Sequence, residues 1–131
     1  MLNRNQIPTA VKEFTSRHIK SIFQLEALLL LHRTVDRCWT REEITDQLGV
    51  EFDLAEDQLS ELAQCGVLSE DWNEVKCFRY QPRNSEICLV IDGLAKAYLN
   101  QRVAVFSLIL SKSNDRISRF AEAFRIVKGE D

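Results

Sequence analysis

Gly49 and Gly66 constrain this chain most, because each follows a stretch of helical spacing that cannot continue past it. Upstream of Gly49, Thr40 sits three residues before Glu43, a Thr-x-x-Glu capping box that satisfies free backbone amides at a helix start. The helix runs to Leu48, and Gly49 supplies the left-handed stop. Val50, Glu51 and Phe52 form a short turn, and Asp53 offers a second N-cap with Glu56 at its third position. Ala55, Leu59 and Leu62 then fall at i, i+4 and i+7, one face of a second helix that Gly66 ends. The pattern Ile44-x3-Leu48-Gly49-Val50-x8-Leu59-x2-Leu62-x3-Gly66-Val67-Leu68 covers about 25 residues. It reads as helix, tight turn, helix and strand entry.

Four further helical regions and a hairpin surround that pattern. Pro8 and Thr9 open a short amphipathic stretch with Val11 and Phe14 on one side. Over residues 19–35, Leu25 and the run Leu28, Leu29, Leu30 and Leu31 put apolar groups nearly all round. Such a helix is buried rather than surface-lying, so this is the expected central core helix. After Gly66, the residues Trp72, Val75, Cys77, Phe78 and Tyr80 predict a second strand that Pro82 ends, with 69–74 as the connection of a β-hairpin. From Asn84 a long helical region runs towards Leu110, with Ile87, Val90, Ile91, Leu94, Tyr98 and Leu99 as its buried stripe. Gly93 within it costs about 1 kcal/mol relative to Ala, so a break or a close approach is expected there. A last helix carries Ile117, Phe120, Ala121, Phe124 and Val127 at helical spacing. With 131 residues and 45% apolar content, the chain can bury a real core in one domain. The expected fold is mainly α with a small β-hairpin: helix-turn-helix at about 40–66, hairpin at about 67–82 and C-terminal helices at about 84–128.

Little points to catalysis or to a bound cofactor. There is no Gly-rich phosphate loop, and His18 and His32 suggest no Ser/His/Asp arrangement, so an enzyme is not expected. Cys38, Cys65, Cys77 and Cys88 include no C-x-x-C pair, and neither histidine sits beside them at metal-ligand spacing. Free, mostly buried thiols are the expectation, and no metal. Cys38 and Cys77 flank the most acidic part of the chain, which leaves a redox role open. Neighbouring carboxylates, however, raise a thiol pKa and work against a reactive thiolate. The first ten residues hold no apolar leader, and the nearly apolar run 103–110 is far short of a membrane span. A cytoplasmic location is therefore expected.

Charge sets the functional problem. Between Cys38 and Glu74 there are eleven acidic residues and one base, Arg41, a sum of −10 within a chain of net charge −3. Residues 1–37 carry six bases against three acids, and 75–128 carry ten against four. The helix-turn-helix pattern and the element order around it resemble the winged helix-turn-helix superfamily, and MarR-type bacterial regulators in particular. The resemblance implies a two-stranded wing, a second helix that reads DNA, and a dimer built from the terminal helices. Residues here depart from that scheme. Where relatives carry Arg, Lys, Ser or Gln on the reading helix, this chain has Asp53, Glu56, Asp57, Ser60, Glu61 and Gln64. Where the wing of relatives presents basic residues, this chain has Ser69, Glu70, Asp71, Trp72, Asn73 and Glu74. Phosphate neutralisation supplies most non-specific DNA affinity, and this helix offers no group for it.

The expected function is therefore regulation by protein–protein contact. Asp53, Glu56, Asp57 and Glu61 would form an acidic face for a partner with a basic surface. A homodimer is expected through Val103, Phe106, Leu110, Ile117, Phe120 and Phe124, an apolar band with an aromatic edge. The rival expectation is a DNA-binding transcriptional regulator whose phosphate contacts come from Arg79, Arg83, Arg116 and Arg119. No membrane partner is expected.

Overall fold

A computed structural model describes residues 6–51 and 53–111. At its centre lies α2 (Ile22–Arg33), in which Leu25, Ala27, Leu28 and Leu31 have no exposed surface. It starts three residues later than the apolar spacing suggested, because the Ser21 hydroxyl caps it by accepting from the Gln24 amide at 3.0 Å. Ile19, in the turn before it, is fully buried all the same. α1 (Thr9–His18) follows Pro8 and packs on α5 (Ser85–Asn100). Gly93 makes that packing possible: a Cβ there would lie 2.9 Å from Cγ2 of Val11. The glycine thus marks a close approach, and α5 runs through it unbroken. The long helical region breaks instead at Gln101, which has extended φ, and a sixth helix, α6, occupies residues 102–111. The bend turns Val105 and Ile109 into the core.

The glycine-punctuated pattern folds as α3 (Arg41–Leu48) and α4 (Ala55–Gln64). Both halves of the capping box form: the Thr40 hydroxyl accepts from the Glu43 amide at 3.1 Å, and the Thr40 amide donates to Glu43 Oε1 at 3.0 Å. Gly49 and Gly66 have φ of +72° and +89°, the left-handed region in which a Cβ is strained. The second cap differs from expectation. Leu54, not Asp53, is the N-cap of α4 and makes no side-chain bond. Leu54, in the bridge region at φ −95° and ψ 13°, accepts the first helical bond from the Gln58 amide at 2.9 Å, which leaves Asp53 one residue too early.

The sheet has three antiparallel strands in the order β1-β3-β2: β1 (Trp39–Thr40), β2 (Leu68–Asn73) and β3 (Val75–Tyr80). Residues 69–73, expected to be a connection, are β2 itself, and Trp72 belongs to β2 rather than to the second strand. Glu74 alone turns the chain between Asn73 and Val75, at φ +76°. The pairing of Leu68 with Tyr80 and of Glu70 with Phe78 puts Leu68, Glu70 and Trp72 on the face that packs against the helices. β1 pairs Trp39 with Phe78, both nearly fully buried.

A buried polar contact fixes α4 on α2. Gln24 has no exposed surface, yet its carboxamide accepts from the Lys20 amide at 2.7 Å and donates to the Gln58 carbonyl at 2.9 Å. The Ser21 hydroxyl donates to Gln58 Oε1 at 2.5 Å. Among the described residues no helix is long and apolar enough to cross a membrane.

Candidate docking face on the second helix of the motif

Ala55, Gln58, Leu59 and Leu62 bury one side of α4, and the remainder of the helix faces outward. At about 100° per residue, Asp57 and Gln64 point most directly away from the core, while Glu56 and Glu61 lie roughly 140° apart on its two flanks. The expected acidic face is thus a ridge with two differently placed sides.

Each flank carries a lysine. Lys76 of β3 sits between the hairpin and α4, where its ammonium lies 3.6 Å from Glu56, 3.2 Å from Glu70 and 3.2 Å from the Ser60 hydroxyl. Its side chain is only 19% exposed, so this cation is largely withdrawn from solvent. On the other flank Lys20 pairs with Glu61 at 3.1 Å, both partly exposed. The second pair borders a cleft of about 400 Å³ lined by Arg17, His18, Lys20, Glu61, Gln64 and Cys65. Asp53 and Asp57 are exposed and have no ion-pair partner among the described residues. Asp53 lines a recess of about 260 Å³ with Arg41, Glu42, Thr45 and Glu51. There the Arg41 guanidinium is committed to Glu42 at 2.7 Å, and that hydrogen bond holds the Glu42 carboxyl below its usual range.

Lys76 and Trp72 were missing from the sequence-based site. Lys76 falls just outside the acidic segment along the chain, yet the hairpin folds it into the middle of the acids. Trp72, on the helix-facing side of β2, is 74% exposed, with the Lys76 ammonium 5.9 Å from its ring centroid. Asp71 points the other way, to the outer face of the sheet beside Cys77.

Of the arginines proposed for DNA, Arg79 and Arg83 fall among the described residues. Arg83 lies over Gly66 and donates to the Gln64 carbonyl at 3.3 Å. Arg79 is half-buried, with its Nε enclosed and lacking a hydrogen-bond partner. Arg116 and Arg119 lie outside the described residues, as do Ile117, Phe120 and Phe124 of the expected dimer band. Within that band Val103 is 78% exposed and Leu110 48%, whereas Phe106 is half-buried with its ring against Tyr98. Leu99, at 78% exposure, borders an apolar hollow of about 240 Å³ between α2 and α5, lined also by Leu29 and Ala95.

The expectation of free thiols fails for two of the four cysteines. Cys38 and Cys77 form a disulfide, with Cα atoms 5.6 Å apart. The cause is β1: its pairing of Thr40 with Cys77 brings Cys38, two residues upstream, to the same face of the sheet. Cys65 and Cys88 are free and half-buried, and burial pushes the Cys65 thiol up. Comparison of the chain with family models, with curated proteins and with solved structures gave no match.

Proposed function

We propose that this chain is a small regulatory winged-helix protein that acts through protein–protein contact, with α4 and the adjoining wing as an acidic docking face for a basic protein partner. The observation that carries this reading is the state of the charges on that face. Among the described residues Glu56, Glu61 and Glu70 pair with Lys20 and Lys76, the nearby Arg41 is held by Glu42, and Asp53 and Asp57 have no ion-pair partner. A duplex carries one phosphate charge per roughly 1.7 Å of axis, and such a face repels it. A cationic protein surface is instead steered inward, raising the association rate most strongly at low salt. Trp72 supplies an exposed ring against which an incoming Arg or Lys can stack, worth about 0.5–1 kcal/mol at an exposed site.

The reading includes a homodimer through α6 and the end of α5. Leu99, Val103 and Leu110 leave apolar surface outside the core, which favours a copy of the same surface over water. Val103→Lys at this exposed position should shift the sedimenting species from dimer to monomer with the circular dichroism unchanged. A monomeric wild type removes the dimer from the proposal.

The docking face is tested by fluorescence anisotropy with an Arg/Lys-rich peptide and, separately, with duplex DNA. Asp53→Lys/Asp57→Lys reverses charges that have no ion-pair partner among the described residues, and the circular dichroism checks the helix start, where Asp57 contributes about 0.3–1 kcal/mol. The expected result is peptide binding that weakens at least tenfold in the variant, and negligible binding of duplex by the wild type. Duplex binding that falls steeply between low and moderate salt, with the peptide ignored, would establish the DNA-binding alternative instead.

A further inference from the structure

We propose that Cys38, Cys77 and Asp71 form a zinc site when the Cys38–Cys77 pair is reduced. The three residues come from three separate strands or strand ends, and the sheet register places them in one row. Cys77 is opposite Asp71 on β2 and opposite Thr40 on β1, with Cys38 two residues before Thr40 and so on the same face. One ligand atom from each residue lies within 4.8 Å of the others. The Asp71 carboxylate stands 3.8 Å from Cys38 Sγ. A disulfide sulfur has no proton to donate, so no hydrogen bond explains that approach, and Asp71 has no ion-pair partner among the described residues.

Two thiolates and one carboxylate are a donor set that suits zinc, with water completing the tetrahedron. At Zn–S distances of about 2.3 Å, tetrahedral sulfurs stand roughly 3.8 Å apart. The Cα separation of 5.6 Å leaves room for this by side-chain rotation alone. The chemistry has two steps. A dithiol reductant gives two electrons and two protons to the Cys38–Cys77 bond, yielding two thiols and the reductant's own disulfide. Zn²⁺ then displaces two protons as both Zn–S bonds form. Disulfide and metal exclude one another, so the compartment's redox poise selects between them. Either link joins β1 to β3, and the metal form alone adds β2 through Asp71. Cys65 lies at the end of α4 and Cys88 on α5, apart from this row. The proposal is independent of the docking face, since Asp71 is on the opposite side of the sheet.

The test uses the full chain with Cys65→Ser and Cys88→Ser, reduced with a phosphine, and Co²⁺ as the optical probe for Zn²⁺. The expected result is one Co²⁺ per chain with thiolate-to-cobalt charge transfer and tetrahedral d–d absorption, both abolished by Zn²⁺. The oxidised protein should bind none. Asp71→Asn, at an exposed position that leaves the thiols in place, should weaken binding about tenfold or more. The proposal is overturned by a reduced protein that gives no tetrahedral spectrum, by one that unfolds and does not refold with Zn²⁺, or by equal affinity in Asp71→Asn.

Discussion

Gln24→Leu is the sharpest test of how α4 is held in place. The substitution keeps the approximate side-chain volume and deletes both polar contacts of a residue with no exposed surface. Its two partners lose unequally. The Lys20 amide loses its acceptor at 2.7 Å in a partly buried contact, and leaving that N–H unsatisfied costs about 1–3 kcal/mol. The Gln58 carbonyl sits within α4 and keeps a place in the helical ladder, so losing the bond from Gln24 at 2.9 Å costs about 0.5–1 kcal/mol. Burying leucine in place of a carboxamide returns about 1 kcal/mol. The net expectation is a loss of about 0.5–3 kcal/mol. With a urea m-value of about 1–3 kcal/mol/M, the midpoint should fall by roughly 1 M with m unchanged. Ser21→Ala removes the cap of α2 and the donor to Gln58 Oε1, so the double variant should lose less than the sum of the two. A midpoint within about 0.2 M of wild type would show that the Lys20 amide finds water, and that Gln24 holds nothing in place.

Two other perturbations follow from the same structure. The Cys38–Cys77 bond spans a sequence separation of 39, and the chain-entropy model assigns such a loop up to about 4 kcal/mol at 25 °C. Cys38→Ser or chelator-treated reduction should therefore lower Tm by on the order of 15 °C in a calorimetric scan, whereas an unmoved Tm would place the constraint elsewhere. Tyr80 buries a hydroxyl with no hydrogen-bond partner, and burial, with Cys88 and Asp92 adding, pushes its phenol well above the usual value. A raised folded-state pKa gives stability that is complete below the unfolded value near 10 and is lost as pH climbs above it. Tyr80→Phe should match or exceed wild-type stability at pH 7, by up to about 1 kcal/mol, and should show a shallower loss between about pH 10 and 11.5. An equally steep alkaline loss in the variant would assign that limb to other groups.

The features legible in the sequence are those written in local spacing. The Thr40/Glu43 box, the stops at Gly49 and Gly66 and the all-round apolar α2 each depend on residues within a turn or two of one another. β1 depends on Trp39 finding Phe78 nearly forty positions away, and two residues are too few to display alternation. The disulfide was hidden for the same reason, since Cys38 meets Cys77 only once β1 has paired. β2 was concealed by composition. Glu70, Asp71 and Asn73 are poor strand formers, but the Leu68/Glu70/Trp72 alternation against Tyr80, Phe78 and Lys76 outweighs them. The Asp53 cap failed by one residue, a shift that the charge pattern around it could not reveal.

Distance in space also changes what the charge segregation means. Counted along the chain, every acid from 42 to 74 weighs the same, and Lys76 falls outside the block. In the fold, Lys76 stands among Glu56, Glu70 and Ser60, and Lys20 answers Glu61, so the flanks of α4 use their carboxylates to hold the hairpin and the α1–α2 turn. Asp53 and Asp57 remain exposed and unpaired among the described residues, just before α4 and on its crest. Lysine at these two sites would leave both flanking ion pairs intact and would forfeit only the helix-start interaction of Asp57, about 0.3–1 kcal/mol. On the proposed reading their sign answers a basic partner, since two unpaired carboxylates beside an exposed Trp72 suit a cationic protein and repel a phosphate backbone.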